Sequence, residues 1–367
     1  MSVSTGLDVS VPGRLEEVAD GVFAYIQPDG SWMINNTGFL VARDGVTAVD
    51  ACSTERRTRA FLDTIANVTG LPVRTLVNTH HHPDHTAGNG LFSTATIVAH
   101  DNTRQEMRAL GLPRNTGIWT DVEYGDLRLA PPFLTFADRL TLWADELRCE
   151  LLFAGQPAHT TNDIVAWIPE HSVLFAGDLV FNGGTPFLLS GSVLGAADVL
   201  EQFLKPLGAR TIVPGHGPVA GPEVIDDVLG YLYFVRDTAE LGRAAGLSPL
   251  EAAQGVSLGR YAEWSDPERI VGNLHRAYAD LSGSAEERGG PVNAPGALAD
   301  MVVYNGGRPL TCRALPPWAT GGLVGLGKAA LNRGHGQLEQ SEVGVGGLAL
   351  LLAHQRGRVV LDKGGPG

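Results

Sequence analysis

The run Thr79-His80-His81-His82-Pro83-Asp84-His85 sets three imidazoles and a carboxylate in the order His-x-His-x-Asp-His. Imidazole nitrogens and carboxylate oxygens at such close, fixed spacing are the donors that divalent transition metals take, and this order reads as half of a two-metal site. A solvated His-rich loop would leave the spacing of four candidate ligands unexplained. One loop cannot enclose two cations that keep open positions, so partners must come from elsewhere in the chain. Three segments offer them. Pro157-Ala158-His159-Thr160 follows the apolar run Leu151, Leu152, Phe153; Phe175-Ala176-Gly177-Asp178 closes the run that starts at Val173; and Pro214-Gly215-His216-Gly217 follows Thr211, Ile212 and Val213. A lone His or Asp after a strand is more often structural, and the weight lies in their joint order.

The elements that must hold these residues are short strands. Thr75 to Asn78 is a strand-like run and Thr86 to Asn89 resembles a helix start, which puts the His cluster on a strand-to-helix loop, where open sheets carry their chemistry. Glycine beside Asp178 and on both sides of His216 allows backbone approaches that a Cβ would resist. Val22 to Tyr25, Thr37 to Ala42 and Thr47 to Asp50 read as further opening strands between turn signals, and Ser53 to Val68 has helical spacing through Phe61, Leu62, Ile65 and Val68. A second set of strands is expected from Thr135 to Val180, then a helix over Ala197 to Leu207. From Pro222 to Gly283 the pattern is helical. Val224, Val228, Leu229, Leu232 and Val235 share a face, with Gly246 as the stop; Ser248-Pro249-Leu250-Glu251 is a capping box. Ser265-Asp266-Pro267-Glu268 repeats the start signal ahead of a stripe of Ile270, Val271, Leu274, Tyr278 and Leu281.

With these motifs in this order, the chain resembles the metallo-β-lactamase superfamily over Leu15 to Pro222. The resemblance implies an α+β fold, an αββα sandwich, to which the helical region is appended. It also implies that His80, His82 and His159 bind one metal, that Asp84, His85 and His216 bind the second, and that Asp178 bridges them. A carboxylate bridge is the pattern of the hydroxyacylglutathione hydrolase, lactonase and phosphodiesterase branches, whereas many lactamases carry Cys at the second site. His81 is outside that pattern, and His100 reads as a structural histidine or as one that supports a ligand from behind. Zinc, two ions per chain, is the expected cofactor, with iron or manganese as alternatives. Such a pair shares a hydroxide whose conjugate water has a pKa lowered to roughly 7, and the negative charges of Asp84 and Asp178 offset the cations and orient the nucleophile. The expected activity is hydrolysis of a small thioester, ester or lactone. The apolar segment Leu179 to Phe187 lacks the Lys and Tyr that glutathione thioester hydrolases place there; Phe181, Phe187, Trp119 and Tyr124 are candidates for an apolar pocket. The alternatives are an oxidoreductase like the mononuclear iron persulfide dioxygenases, or a phosphodiesterase or secondary-metabolism hydrolase of the same superfamily.

Composition agrees with a globular enzyme: 367 residues, 44% apolar and 18% charged. A formal net charge of −13 without a basic patch argues against nucleic acid as partner. A small-molecule substrate is expected, no membrane, and an oligomeric state left open, with a homodimer as one option. Cys52, Cys149 and Cys312 are too few and scattered for a disulfide framework. Met1 to Gly30 holds no apolar core of a secretory signal, so the expected address is cytoplasmic. Arginine fills every basic position except Lys205, Lys328 and Lys363, a usage pointing to a GC-rich bacterial genome. Three regions are expected: residues 15–222 as catalytic domain, 223–285 as helical cap and wall of the substrate pocket, and 286–367 as a Gly-rich tail, partly disordered after about Pro316. The last contains 18 of the 47 glycines. Met301 to Tyr304 reads as a strand within it, and removal of everything after Ala285 is expected to leave a folded, metal-loaded protein.

Overall fold

The computed structural model describes residues 13–312. Among these residues, twelve strands form two sheets. The first runs in spatial order β1 (Arg14–Ala19), β2 (Val22–Ile26), β3 (Thr37–Ala42), β4 (Gly45–Val49), β5 (Val73–Val77), β6 (Thr96–His100) and β7 (Leu134–Phe136). It is antiparallel through β4 and parallel from there to β7. The second is built from β8 (Arg139–Ala144), β9 (Leu147–Phe153), β10 (Ile164–Ile168), β11 (Val173–Phe181) and β12 (Thr211–His216), in spatial order β12-β11-β10-β9-β8. Only β11 and β12 pair in parallel there. Strand periodicity sorts each run between two cores. In β3, β5 and β6, Leu40, Val77 and Val98 point between the sheets, while Phe39, Leu76 and Ile97 face outward against Phe61 and Ile65. In β11, Val173 and Phe175 point between the sheets, Leu174 and Ala176 toward the opposite helical layer. The result is the αββα sandwich with helices appended.

The first helical layer holds α1 (Glu55–Val68), N-capped by Thr54; a single turn, α2 (Pro83–Thr86); and α3 (Asp101–Leu110). In the second, α4 (Val193–Val199) continues through a π turn at Leu200–Leu204 into α5 (Lys205–Leu207), followed by α6 (Glu223–Ala244), α7 (Pro249–Gly255), α8 (Arg269–Asp280) and α9 (Ala294–Tyr304). The expected face of α6 is buried, and Ser248 and Glu251 form the capping box reciprocally. Ile270, Val271 and Leu274 are buried as expected, but Ser265 caps nothing: α8 starts at Arg269 without a side-chain cap, and the Ser265 backbone pairs instead with Gly183 and Thr185.

The reading of residues 286–312 is corrected. Met301 to Tyr304 lies in α9, and Ala297, Met301, Leu310 and Cys312 are buried in one cluster with Ile270, Leu274 and Ala277 of α8. The strand reading failed because Met-Val-Val-Tyr is short enough to suit either element, and Asn293 accepting from the Gly296 amide starts a helix there. Leu310 then pairs with the loop at Ile118 and Thr120. The part of the expected tail after residue 312, and with it the expectation about Pro316, lies outside the described residues. Cutting the chain after Ala285 would therefore open the core, contrary to the expectation from composition. Met301 is fully buried, so Met301→Ala should lower the unfolding free energy by about 2–5 kcal/mol in urea melts; a loss below about 1 kcal/mol would mean that α9 merely rests on the surface.

Candidate metal centre

The ends of β5, β9 and β12 and the later side chains along β11 converge at one end of the sandwich. β5 leads through Asn78 and Thr79 to His80; His82 then occupies the cap position of α2, Pro83 its first turn, and Asp84 and His85 project from that turn. His159 lies in the loop between β9 and β10, which Asp163 ties by accepting from the Thr160 amide (2.7 Å) and hydroxyl (2.6 Å). Asp178 is within β11 and His216 ends β12. At Gly215 a Cβ would run into the Asp178 carboxylate, and Gly217 has φ +92°, so the glycines flanking His216 are required for the approach.

The structure brings together all seven residues singled out from sequence. They fall into two groups, His80, His82, His159 and Asp178, and Asp84, His85 and His216; within each, ligand-type atoms lie within 4.8 Å of one another. His82 Nδ1 and His159 Nε2 are 2.8 Å apart, near the edge of about 3.3 Å that bonds of about 2.0–2.1 Å to one tetrahedral zinc would give. Asp178 reaches both groups: Oδ2 lies 3.3 Å from His159 Nε2 and 3.4 Å from His216 Nε2, and Oδ1 lies 3.0 Å from His85 Nε2. Asp84 Oδ2 is 3.2 Å from His216 Nε2. His80 Nε2, His85 Nε2 and Asp178 Oδ1 are buried, and although the last two lie 3.0 Å apart none of the three makes an aligned hydrogen bond. Such atoms cost on the order of 1–3 kcal/mol each when left alone, and cations held between them would satisfy all three. The donor set thus fits a pair of metal ions.

Burial, then neighbouring imidazoles, hold His80 and His82 below the usual histidine range, which keeps them neutral and able to ligate. On the other side, burial acts to lower His216, but Asp178 and Asp84 outweigh it and push it up to about 9. Protons therefore compete with a cation for that nitrogen, and metal affinity should fall as pH falls. Burial would raise Asp84, yet His85 and His216 hold it down to about 2.

The remote ring nitrogens are oriented by groups the sequence did not single out. Asp50, at the exit of β4, accepts from His85 Nδ1 (2.8 Å), the Thr79 hydroxyl (2.7 Å) and the Thr79 amide (2.8 Å). Thr79 Oγ1 is also 3.1 Å from His80 Nδ1, and the Gly30 carbonyl lies 3.1 Å from His216 Nδ1. Asn36 clamps the His216 turn through the carbonyls of Pro214 (2.9 Å) and Gly217 (2.6 Å). Asp50 did carry a signal, an acid closing an apolar strand as Asp178 does, but it reads equally as a turn residue. His81 points away to Asn162, and burial lowers it to about 4. His100 caps α3 and stacks on Phe153, as a structural histidine.

Residues 30–216 match the model of the metallo-beta-lactamase superfamily, and the chain belongs to that superfamily, an enzyme of its metal-dependent hydrolase class. It is 24% identical over 233 residues to a metallo-beta-lactamase type 2 of Bacteroides fragilis, covering 61% of this chain and 86% of that one. A hydroxyacylglutathione hydrolase of Rhodospirillum rubrum is 32% identical over 147 residues, 39% of this chain and 48% of the relative, so the likeness to that enzyme spans about half its length. Among solved structures, a metallo-beta-lactamase from Pontibacter korlensis aligns over 60% of this chain and 99% of its own with a TM-score of 0.51 at 19% identity, a likeness of fold. Among the described residues no helix is long and apolar enough to cross a membrane.

Asp178→Ala should lower metal retention and turnover at least roughly tenfold more than His81→Ala, since only the first removes a group shared by both clusters. Asp50→Ala should weaken metal binding by about 10–100-fold, as expected for an outer partner of a ligating imidazole. Dialysis against graded chelator followed by elemental analysis checks both; equal behaviour of the Asp178 and His81 variants would overturn the ligand assignment.

Proposed function

We propose that the chain is a zinc-dependent hydrolase acting on a small thioester, ester or lactone, with His80, His82 and His159 holding one ion, Asp84, His85 and His216 the other, and Asp178 between them. The observation that carries this reading is the Asp178 carboxylate lying against histidines of both groups. Zinc ions bound there would supply a hydroxide nucleophile at neutral pH and a Lewis acid for the scissile oxygen. The chain's own part is orientation and charge. Asp84 and Asp178 offset the cations and can accept a hydrogen bond from the attacking water, so no serine or cysteine nucleophile is needed; Asp50 and the Gly30 carbonyl fix the rings of His85 and His216.

The aromatic residues beside the site pack largely on one another. Trp32 meets Trp119 and Phe187 edge to face, with ring centroids 5.5 and 4.9 Å apart. Phe181 differs from its expected place in the pocket lining: it is buried and packs flat on the His216 ring. The likeness to a hydroxyacylglutathione hydrolase supports acyl transfer to water, while the uncharged Leu179 to Phe187 segment favours a substrate other than a glutathione conjugate. Elemental analysis should find about two metal equivalents per chain, zinc first. A panel of thioesters, lactones and phosphodiesters should then give turnover on the first two classes. One tightly held iron with no second metal would move the chain to the dioxygenase reading, and phosphodiester turnover alone would displace the acyl substrate.

A further inference from the structure

Residues 265–269, at the entry to α8, lie beyond the segment shared with the superfamily, which ends at His216. They nevertheless reach the metal centre through a buried arginine. Arg269 is 2% exposed, a costly place for a guanidinium unless it is paired and hydrogen-bonded. Its Nη1 donates to the Thr185 carbonyl (2.8 Å) and its Nη2 lies 2.8 Å from Asp266 Oδ2. The guanidinium carbon sits 3.9 Å from the ring centroid of Trp32 and 5.6 Å from that of Phe181. Both distances suit cation–π attraction at a buried site. Glu268 holds the same Trp32 by accepting from its indole N–H at 2.7 Å.

Both rings lead to His216. Phe181 lies flat against its imidazole, with centroids 4.9 Å apart and planes within 3° of parallel. Trp32 belongs to the loop whose Gly30 carbonyl receives His216 Nδ1. The face and the remote nitrogen of this one ligand are thus each set by a segment that Arg269 pins. Phe181 also meets the His159 ring, but tilted and at 6.1 Å, so its close, flat stack is on His216. We propose that Arg269 is a positioning residue for the half-site of Asp84, His85 and His216, so that the helical region determines the occupancy of the second metal. This rests on the two-metal reading above.

The test is titration of the full-length protein, stripped of metal, with Zn2+ against a chromophoric competing chelator, for the wild type, Arg269→Met and Arg276→Met. Arg276 is an equally buried arginine of α8 that holds the Leu189 and Gly290 carbonyls and touches neither Trp32 nor Phe181, so it reports what loss of a buried arginine does to the helix alone. Arg269→Met should take up its first equivalent as the wild type does and bind the second at least roughly tenfold more weakly; Arg276→Met should keep both affinities. If Arg269→Met does not fold by thermal melting, Phe181→Leu decides, since it removes the stack on His216 and leaves the Arg269–Asp266 pair. Unchanged second-site affinity, or a parallel loss of both equivalents, overturns the proposal. A wild type that takes up one equivalent sinks the two-metal reading and the proposal with it, and is recognised before any variant is measured.

Discussion

Histidines from the ends of three strands are drawn to one carboxylate within a fourth. Asp178 lies within 4 Å of His80, His85, His159 and His216, and in a poorly screened interior its charge helps raise His85 and His216 against their burial. Its own burial acts to raise it, yet His216, His85 and His159 hold it well below the usual carboxylate range. The sandwich has to deliver these groups from different strands without letting any of them find a private partner. Atoms left unpaired at the centre, and the rings of His80, His85 and His216 held at the rim, are the structural expression of that demand.

The rim is where the two sheets and the helices cooperate. Asp50 and Thr79 join the exits of β4 and β5, so that His80 and His85 are oriented by the same pair of residues. Asn36 and Gly30 carry the β2–β3 connection across to the end of β12. On the far side, α8 presents a second, polar row at helical spacing. Arg269, Asn273, Arg276 and Asp280 each bond to the segment after β11, at Thr185, Pro186, Leu189 and the Val193 amide in turn. A helix with this row satisfied and Ile270, Val271 and Leu274 in the core is buried on more than one face, which its apolar stripe alone did not disclose.

The seven candidate ligands were legible in the sequence because metal chemistry restricts residue type and because each follows an apolar run, a local pattern. The strands β2, β3, β4 and β5 and the helices α1, α6 and α7 were legible for the same reason: their periodicity and capping are properties of a few neighbouring residues. What the sequence could not disclose depends on pairings across long separations. Asp50 meets His85 from another strand, Arg269 meets Trp32 from 237 positions away, and Ala297 and Met301 of α9 are buried because they join the core that α8 lines. A carboxylate at a turn, an arginine at a helix start and a short Met-Val-Val-Tyr run have the same local appearance whether they face solvent or a core. Folding decided among those outcomes, because the stabilisation of a buried polar group lies in partners that only the tertiary structure brings within reach.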